Sequence, residues 1–544
     1  MRDESLWYLN AVFYELNVRA FFDSNGDGHG DLRGVITKLD YLQDLGVDAI
    51  WLLPIYPSPL LDDGYDIADF YDIHPHYGTL EDFKTLVDAA HQRGMKVITD
   101  LVLNHTSDQH RWFKAARQGR DNPYHDYYVW SDDNQKYPQA RIIFLDTEES
   151  NWSWDESAQR YYWHRFYSSQ PDLNYDNPAV REEMLNIARF WLDLGVDGFR
   201  ADAVPYLFER ENTNCENLPE THAYLKELRG FIDQNYPGRI LLCEANQWPQ
   251  DVRQYFGNGD EFHMGFHFPL MPRIYMALRK SNVQPLEWAM ETTPAIPENT
   301  QWCIFLRNHD ELTLEMVTEA ERQWMWEQYA PEPRMRLNLG IRRRLAPLLD
   351  NDRRQIELAY SLLFTLPGSP ILYYGDEIGM GDNIKLPDRN GVRTPMQWDN
   401  SPQAGFSTAP PEMLYAPVVS SPGFEPLSTN VADQLIDPGS LLNTLKDMIK
   451  ARKSHPALGT GKFSWDSGLP TISPNPIAAY FRENQQEKVV IIQNLSSDQH
   501  TFNLQLQDGA TINLILGISD FRLEREQLGV DLEPYGYMWF QIQE

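Results

Sequence analysis

An apolar run ending in polar or charged residues, followed by a segment of helical spacing, recurs eight times between residues 11 and 376. The runs lie at 11–18, 47–55, 96–103, 194–204, 239–245, 262–270, 303–310 and 369–376. Several are apolar throughout rather than alternating, the pattern of parallel strands covered on both faces. Between them Ile36, Leu39, Leu42 and Leu45 repeat at helical spacing up to Gly46, and Asn177-Pro178 opens a helix that Gly195 closes. Residues 80–93, 219–235 and 353–366 read as further helices. Proline just inside a helix start and glycine just past its end fit the free donors and left-handed turn found there. Eight such units predict an α/β fold, a TIM (β/α)8 barrel.

Three stretches leave that rhythm. Residues 106–174 carry Trp112, Trp130, Trp152, Trp154 and Trp163 and are too long for a plain loop. They predict a small inserted lobe after strand three, overhanging its end. Residues 319–352 are charged and read as a helical insertion. Past residue 453 the period turns to two, at 478–482, 488–493, 501–506 and 537–542, which predicts a C-terminal antiparallel β domain, a β-sandwich. The expected organisation is a barrel of 1–105 and 175–453, a lobe of 106–174 and a sandwich of 454–544.

A net charge of −32 speaks against nucleic acid as a partner, because phosphate binding relies on clustered lysine and arginine. No apolar run is long enough to cross a bilayer, and residues 1–15 lack a basic segment followed by an apolar core, so neither membrane nor signal peptide is expected. Cys215, Cys243 and Cys303 offer no disulfide or metal spacing and read as reduced thiols in the cytoplasm. A homo-oligomer is compatible with this composition. Aromatic residues make up 13% of the chain. Most fill a core, yet flat rings with polar edges also suit the C–H faces of sugars.

After the first strand comes Asp23-Ser-Asn-Gly-Asp-Gly-His-Gly-Asp31. Oxygen ligands at Asp23, Asn25, Asp27 and Asp31, with the carbonyl of His29, can wrap a hard cation, here read as structural Ca²⁺. The loop departs from an EF-hand, since Gly34 stands where that motif needs a bidentate Glu.

Barrel active sites lie at the C-terminal ends of the strands. There stand Asp100 with Asn104 and His105, Arg200 with Asp202, Glu244, and His309 with Asp310. Arg200 and Asp202, two residues apart on a strand, share a face, and the cation would keep the carboxylate ionised. Alone, that pair reads equally well as a salt bridge; four carboxylates at one opening do not. Two carboxylates on facing strands suit retaining glycosyl transfer, and a third would grip sugar hydroxyls as charge develops. His105 and His309 lack zinc spacing and read as hydroxyl donors.

Asp100-x-x-x-Asn104-His105, Gly198-Phe-Arg-x-Asp202, Glu244 and Asn308-His309-Asp310 resemble the four signature regions of the α-amylase family of glycoside hydrolases, family 13. Residues 170–174 and 368–377 resemble its accessory regions. The resemblance spans nearly the whole chain. It implies Asp202 as nucleophile, Glu244 as acid/base and Asp310 as transition-state stabiliser, with Asp62, Tyr65, His105, Arg200, His309 and Arg393 around the first sugar. Within the family, the calcium loop and Arg393-Thr-Pro-Met-Gln-Trp398 look like the branch of oligo-1,6-glucosidases and trehalose synthases. The former tend to carry Val after the nucleophile, where this chain has Ala203. Residues 204–210, 214–222, 244–249 and 334–344 are similar to the trehalose synthase branch. That similarity implies interconversion of maltose and α,α-trehalose with some free glucose and no organic cofactor, with an α-glucosidase or sucrose-acting hydrolase as the alternative. It also implies a second cation site of Asn104, Asp172, Glu209 and the carbonyls of Tyr206 and Leu207. A non-catalytic relative, like the amylase-like heavy chains of transporters, does not fit the intact Asp202, Glu244 and Asp310.

Overall fold

The computed structural model describes residues 4–466 and 474–543, so Met1–Asp3 of the N-terminal stretch, and 467–473 and Glu544 of the C-terminal stretch, lie outside the described residues. Eight parallel strands close into a barrel: β1 (Phe13–Leu16), β2 (Ala49–Leu52), β3 (Lys96–Val102), β4 (Gly198–Asp202), β5 (Ile240–Cys243), β6 (Met264–Phe266), β7 (Gln301–Phe305) and β8 (Ser369–Tyr373). Each pairs with the next in sequence, and β8 returns to β1. Seven of the eight strands are buried along their whole length, as continuous apolar runs under a coat of helices must be; in β3, Lys96 alone is partly exposed. The register sets Asp100 beside Arg200 and Val102 beside Asp202, which puts the β3 carboxylate level with the β4 guanidinium near the mouth.

Helix ends follow their local chemistry. Thr79 and Asp82 form a reciprocal capping box at the start of Leu80–Gln92, and Asn177 caps Pro178–Asp193. The helix expected over 34–45 is two, Leu32–Thr37 and Leu39–Leu45, broken at Lys38. Asp31 starts the first by accepting from the Gly34 amide, and the Lys38 ammonium sits over Phe22 and Trp398, 4.2 and 4.0 Å from the ring centres. Gly46, at φ 95°, closes the second in the left-handed region where a side chain is strained.

The insertion after β3 holds the helix Arg111–Ala116 and a three-stranded antiparallel sheet of Trp130–Ser131, Trp152–Asp155 and Arg160–Trp163. Within it Trp152 and Trp163 meet edge to face at 4.9 Å, while Trp112 joins the barrel's core and Trp154 is exposed. The stretch 319–352 is not helical throughout. Only Glu319–Tyr329 is a long helix; beyond it Pro331 and Pro333 break the pattern, and Arg336–Leu337 and Gly340–Ile341 form a small sheet with Leu312–Thr313.

The C-terminal part packs a five-stranded sheet (Lys462–Trp465, Ile477–Glu483, Lys488–Asn494, Tyr537–Gln543, Thr511–Gly517) against a three-stranded one (His500–Gln505, Gln527–Leu532, Asp520–Glu524). Val490, Ile492, Phe502, Val530 and Phe540 fill the space between them. Two buried arginines join this part to the barrel by donating to carbonyls alone. Arg452 reaches Phe364, Leu458 and Gly368, and Arg482 reaches Thr365 and Gly461. Among the described residues no helix is long and apolar enough to cross a membrane.

Candidate active site

One guanidinium organises the mouth of the barrel. Arg200 Nη1 donates to Asp100 Oδ1 and Asp202 Oδ1, both at 2.6 Å, and Nη2 lies 2.6 Å from Glu244 Oε1. Asp100, wholly buried inside β3, is held further by Trp51 Nε1 at 2.9 Å and Tyr65 at 3.3 Å. Asp202 ends β4 and Glu244 follows β5 directly, so neighbouring strands aim both carboxyls at the cation between them. After Asp202 the chain turns sharply: Ala203 adopts φ 53° and points its amide at Glu244 Oε2, 3.2 Å away. A β-branched residue is strained in that conformation, and alanine is strained less.

Burial against nearby charge then separates the two carboxyls. It raises Asp202 to about 6 against the pull of Arg200. It raises Glu244 to about 8, with Asp202 and Asp310 adding to the effect. A carboxylate and a neighbouring carboxylic acid at neutral pH are the pair an acid/base mechanism needs. Asp310 goes the other way. Arg389 and Arg393, with the Nε2 edge of His309 facing it at 3.2 Å, overcome burial and hold its carboxyl far below the usual range.

Arg389 was not singled out in the sequence. Its Nη1 meets Asp310 Oδ1 at 2.9 Å and its Nη2 meets Asp62 Oδ1 at 2.6 Å. Arg393, four residues on, also donates to Asp310 at 2.9 Å, with its other side against Asp63. Arg389 lines the cavity itself, together with Asp62, Tyr65, His105, Asp202, Glu244 and Asp310. Its signal was weak: one more arginine in 388–392, just before the Arg393 motif. The cavity measures about 870 Å³ counting its mouth, within the range of small-molecule sites, about 300–1,000 Å³.

Its cover comes from two directions. Phe144 and Phe166 reach in from the inserted lobe, and Glu315 and Asn338 from the segment after β7. Arg141 ties them together, bonding Glu315 at 2.5 Å, Glu216 at 2.8 Å and the Tyr206 hydroxyl at 3.2 Å. The amide of Asn338 donates to Asp146 at 2.8 Å.

Among the described residues no group of three or more His, Cys, Asp or Glu side chains is arranged to hold a metal ion, so either expected cation site would depend on amide and carbonyl oxygens. In the loop of 23–31, Asp23 accepts from the amides of Gly26 and Gly28, and Asp31 from Ser24 and Gly34, which fixes a hard-oxygen donor set in a tight turn. The second set gives a sharper result. Asn104 Oδ1, Asp172 Oδ2 and Glu209 Oε1 are all buried with no hydrogen-bond partner. Burial raises Asp172 to about 8 and Glu209 well above its ordinary range, against the pull of Arg165 on both. These residues fit Ca²⁺.

A sequence model described as the α-amylase catalytic domain matches residues 16–461, and one described as the maltogenic amylase C-terminal domain matches 471–539. The chain belongs to the α-amylase family. Among relatives in the family, the trehalose synthase/amylase TreS of Mycobacterium tuberculosis is 56% identical, over 98% of this chain and 90% of the relative. The trehalose synthase of Pimelobacter sp. is 52% identical, over 99% and 96%. Of solved structures, an α-amylase from H. orenii matches with a TM-score of 0.81 at 30% identity, over 98% of this chain and 99% of that one. The trehalulose synthase MutB from Pseudomonas mesoacidophila matches at 0.80 and 28%, over 99% of each chain. In such a family fold, the arrangement serves glycosyl transfer to and from a carbohydrate.

Proposed function

We propose that the protein interconverts maltose and α,α-trehalose by retaining transglucosylation, with minor hydrolysis to glucose. The supporting observation is a pair of carboxyls, Asp202 and Glu244, bridged by Arg200 beneath a cover fastened by Arg141. A single guanidinium between Asp202 and Glu244 favours the short spacing of a retaining pair, about 5 Å, over the wider one that admits a water. Asp202 attacks the anomeric carbon while Glu244 protonates the departing oxygen, which leaves a glucosyl ester on Asp202 and a free glucose. Asp310, gripped by two arginines, carries the negative charge that stabilises the oxocarbenium-like transition state. The glucose turns under the cover, Glu244 removes the proton of its anomeric hydroxyl, and that oxygen displaces Asp202. Two displacements at one carbon retain its configuration.

Calcium at Asn104, Asp172, Glu209 and the carbonyls of Tyr206 and Leu207 would brace the root of the lobe against the turn that follows β4. Calcium in the loop of 23–31, through Asp23, Asn25, Asp27, Asp31 and the carbonyl of His29, would be structural. The free, buried cysteines Cys215, Cys243 and Cys303 support a reducing compartment, the cytoplasm. The reading is tested by incubating purified protein with maltose and following anomeric proton signals. Trehalose rising well above glucose supports it; glucose alone sinks it in favour of a hydrolase.

The pH dependence has a definite sign. Asp202 and Asp62 must be ionised, so kcat/KM rises as pH climbs through about 6 to 7; Glu244 must be protonated, so kcat/KM falls as pH passes about 8. A bell between those limits is expected for the free enzyme, and a flat profile across pH 6–8 contradicts the assignment.

Water and glucose compete for the glucosyl ester, and closure decides between them. Arg141→Ala removes the fastening of lobe, Glu216 and Glu315. The share of maltose ending as glucose should rise about tenfold, since an enclosed acceptor outcompetes water through effective concentration. Product ratios by anomeric signals decide it; an unchanged ratio refutes the fastening.

A further inference from the structure

Below the sugar site, on β1, lies a carboxyl that the proposed chemistry does not use. Glu15 has no exposed surface. Its Oε1 accepts the backbone N–H of His309 at 3.0 Å and stands 2.6 Å from Nδ1 of that ring, while Oε2 is buried without a hydrogen-bond partner. Among the described residues its ion-pair contact is His309, with no arginine or lysine bonded to it. The ring is fixed on its other sides as well. Tyr65 stacks on it at 5.3 Å, Trp51 meets it edge-on at 5.8 Å, and Arg393 Nε donates to its carbonyl at 2.8 Å. Its free edge, Nε2, lies 3.2 Å from Asp310 Oδ2.

The protons along this row can be placed. Asp310 accepts from Arg389 and Arg393, is ionised and can only accept, so Nε2 carries a hydrogen. An ionised Glu15 would be a buried charge with one oxygen facing no donor and no arginine or lysine bonded to it, which is costly. As a neutral acid, its hydroxyl at Oε1 donates to Nδ1 and still accepts the His309 amide. His309 is then neutral, with Nδ1 accepting. We propose that Glu15 is a positioning residue: as a neutral carboxylic acid donating to Nδ1 of His309, it fixes that ring as the Nε2–H tautomer and aims the hydrogen at Asp310 and the adjoining sugar hydroxyl.

The surroundings agree. Burial, with the charges of Asp310 and Asp100, pushes the Glu15 carboxyl well above its ordinary range against the His309 amide and Arg200. Burial, with Arg393, Arg200 and Arg389, holds the His309 imidazole well below its ordinary value despite Asp310. Cys303 and Tyr373, close by, are kept protonated chiefly by burial and add no charge to the row.

What Nε2–H touches in the substrate rests on the proposed reaction; where the protons lie rests on geometry. Two measurements on the full chain keep these apart. In protein labelled with 15N-histidine, His309, recognised by its contacts with Tyr65 and Trp51, should be the neutral Nε2–H tautomer across the active pH range. An imidazolium or an Nδ1–H tautomer overturns the proposal, whether or not maltose is converted and whether or not a variant folds. In Glu15→Gln the amide oxygen accepts both the backbone N–H and Nδ1–H, so Nε2 loses its hydrogen unless the ring is protonated. At neutral pH kcat on maltose should fall about 10²-fold with KM within about twofold, and the deficit should shrink as pH is lowered and His309 gains a second proton. A wild-type kcat, or a loss that does not change with pH, overturns it.

Discussion

Asp202→Asn should lower kcat on maltose by about 10⁴-fold or more with the fold intact, because it removes the nucleophile and nothing else in the site can form the glucosyl ester. Asparagine keeps the volume and can still accept from Arg200, which retains Asp100 and Glu244 as partners. Removing one of several buried carboxyls around a single guanidinium also relieves repulsion. Asp202 helps to raise Glu244, so the acid/base should titrate lower in the variant. Circular dichroism and the unfolding midpoint report the fold, and single-turnover assays report the chemistry. Retained isomerisation in a folded Asp202→Asn protein would overturn the nucleophile assignment.

Arg389→Met should cost about 10³-fold in kcat/KM, comparable to losing a preorganised electrostatic group. The side chain touches both Asp62 and Asp310, and methionine fills much of its volume while leaving both carboxylates short of a cation. Asp62 is already raised to about 7 by burial with Arg389 in place, so without that arginine it should become neutral at working pH. Asp310, held far below its ordinary value partly by Arg389, should titrate higher. Both carboxylates are then lost with falling pH at a higher pH than in the native protein, so the acidic limb of the kcat/KM profile should move upward. An acidic limb that stays in place, or a loss below about tenfold, would mean that Arg389 only braces the loop.

The barrel was legible because its signals are local. Gly198–Asp202 and Pro219–Asn235 carry strand and helix patterns within their own residues, and strand-end carboxylates gain meaning from the barrel rule alone. Where the pattern weakens, so does the reading. Thr511–Gly517 is at most half-buried and Asp520–Glu524 is exposed along its whole length, so neither short run marks a core face, and Pro331 and Pro333 end a helix that charge alone suggests should continue. The missed site residues share a different cause. Arg389 acts through Asp62, 327 positions away, and Glu15 through His309, 294 positions away. Arg141 is 174 residues from Glu315. No local spacing encodes such pairs, and each is ordinary until the fold supplies its partner.

The central claim, that glucose released from maltose stays under the cover and becomes the acceptor, has a direct test. Purified protein is given unlabelled maltose together with an excess of 13C-glucose, and the trehalose formed is read by NMR. Trehalose accumulating above free glucose, with both of its rings unlabelled, is the predicted result; glucose as the sole product, or trehalose with a 13C-labelled ring, would contradict it.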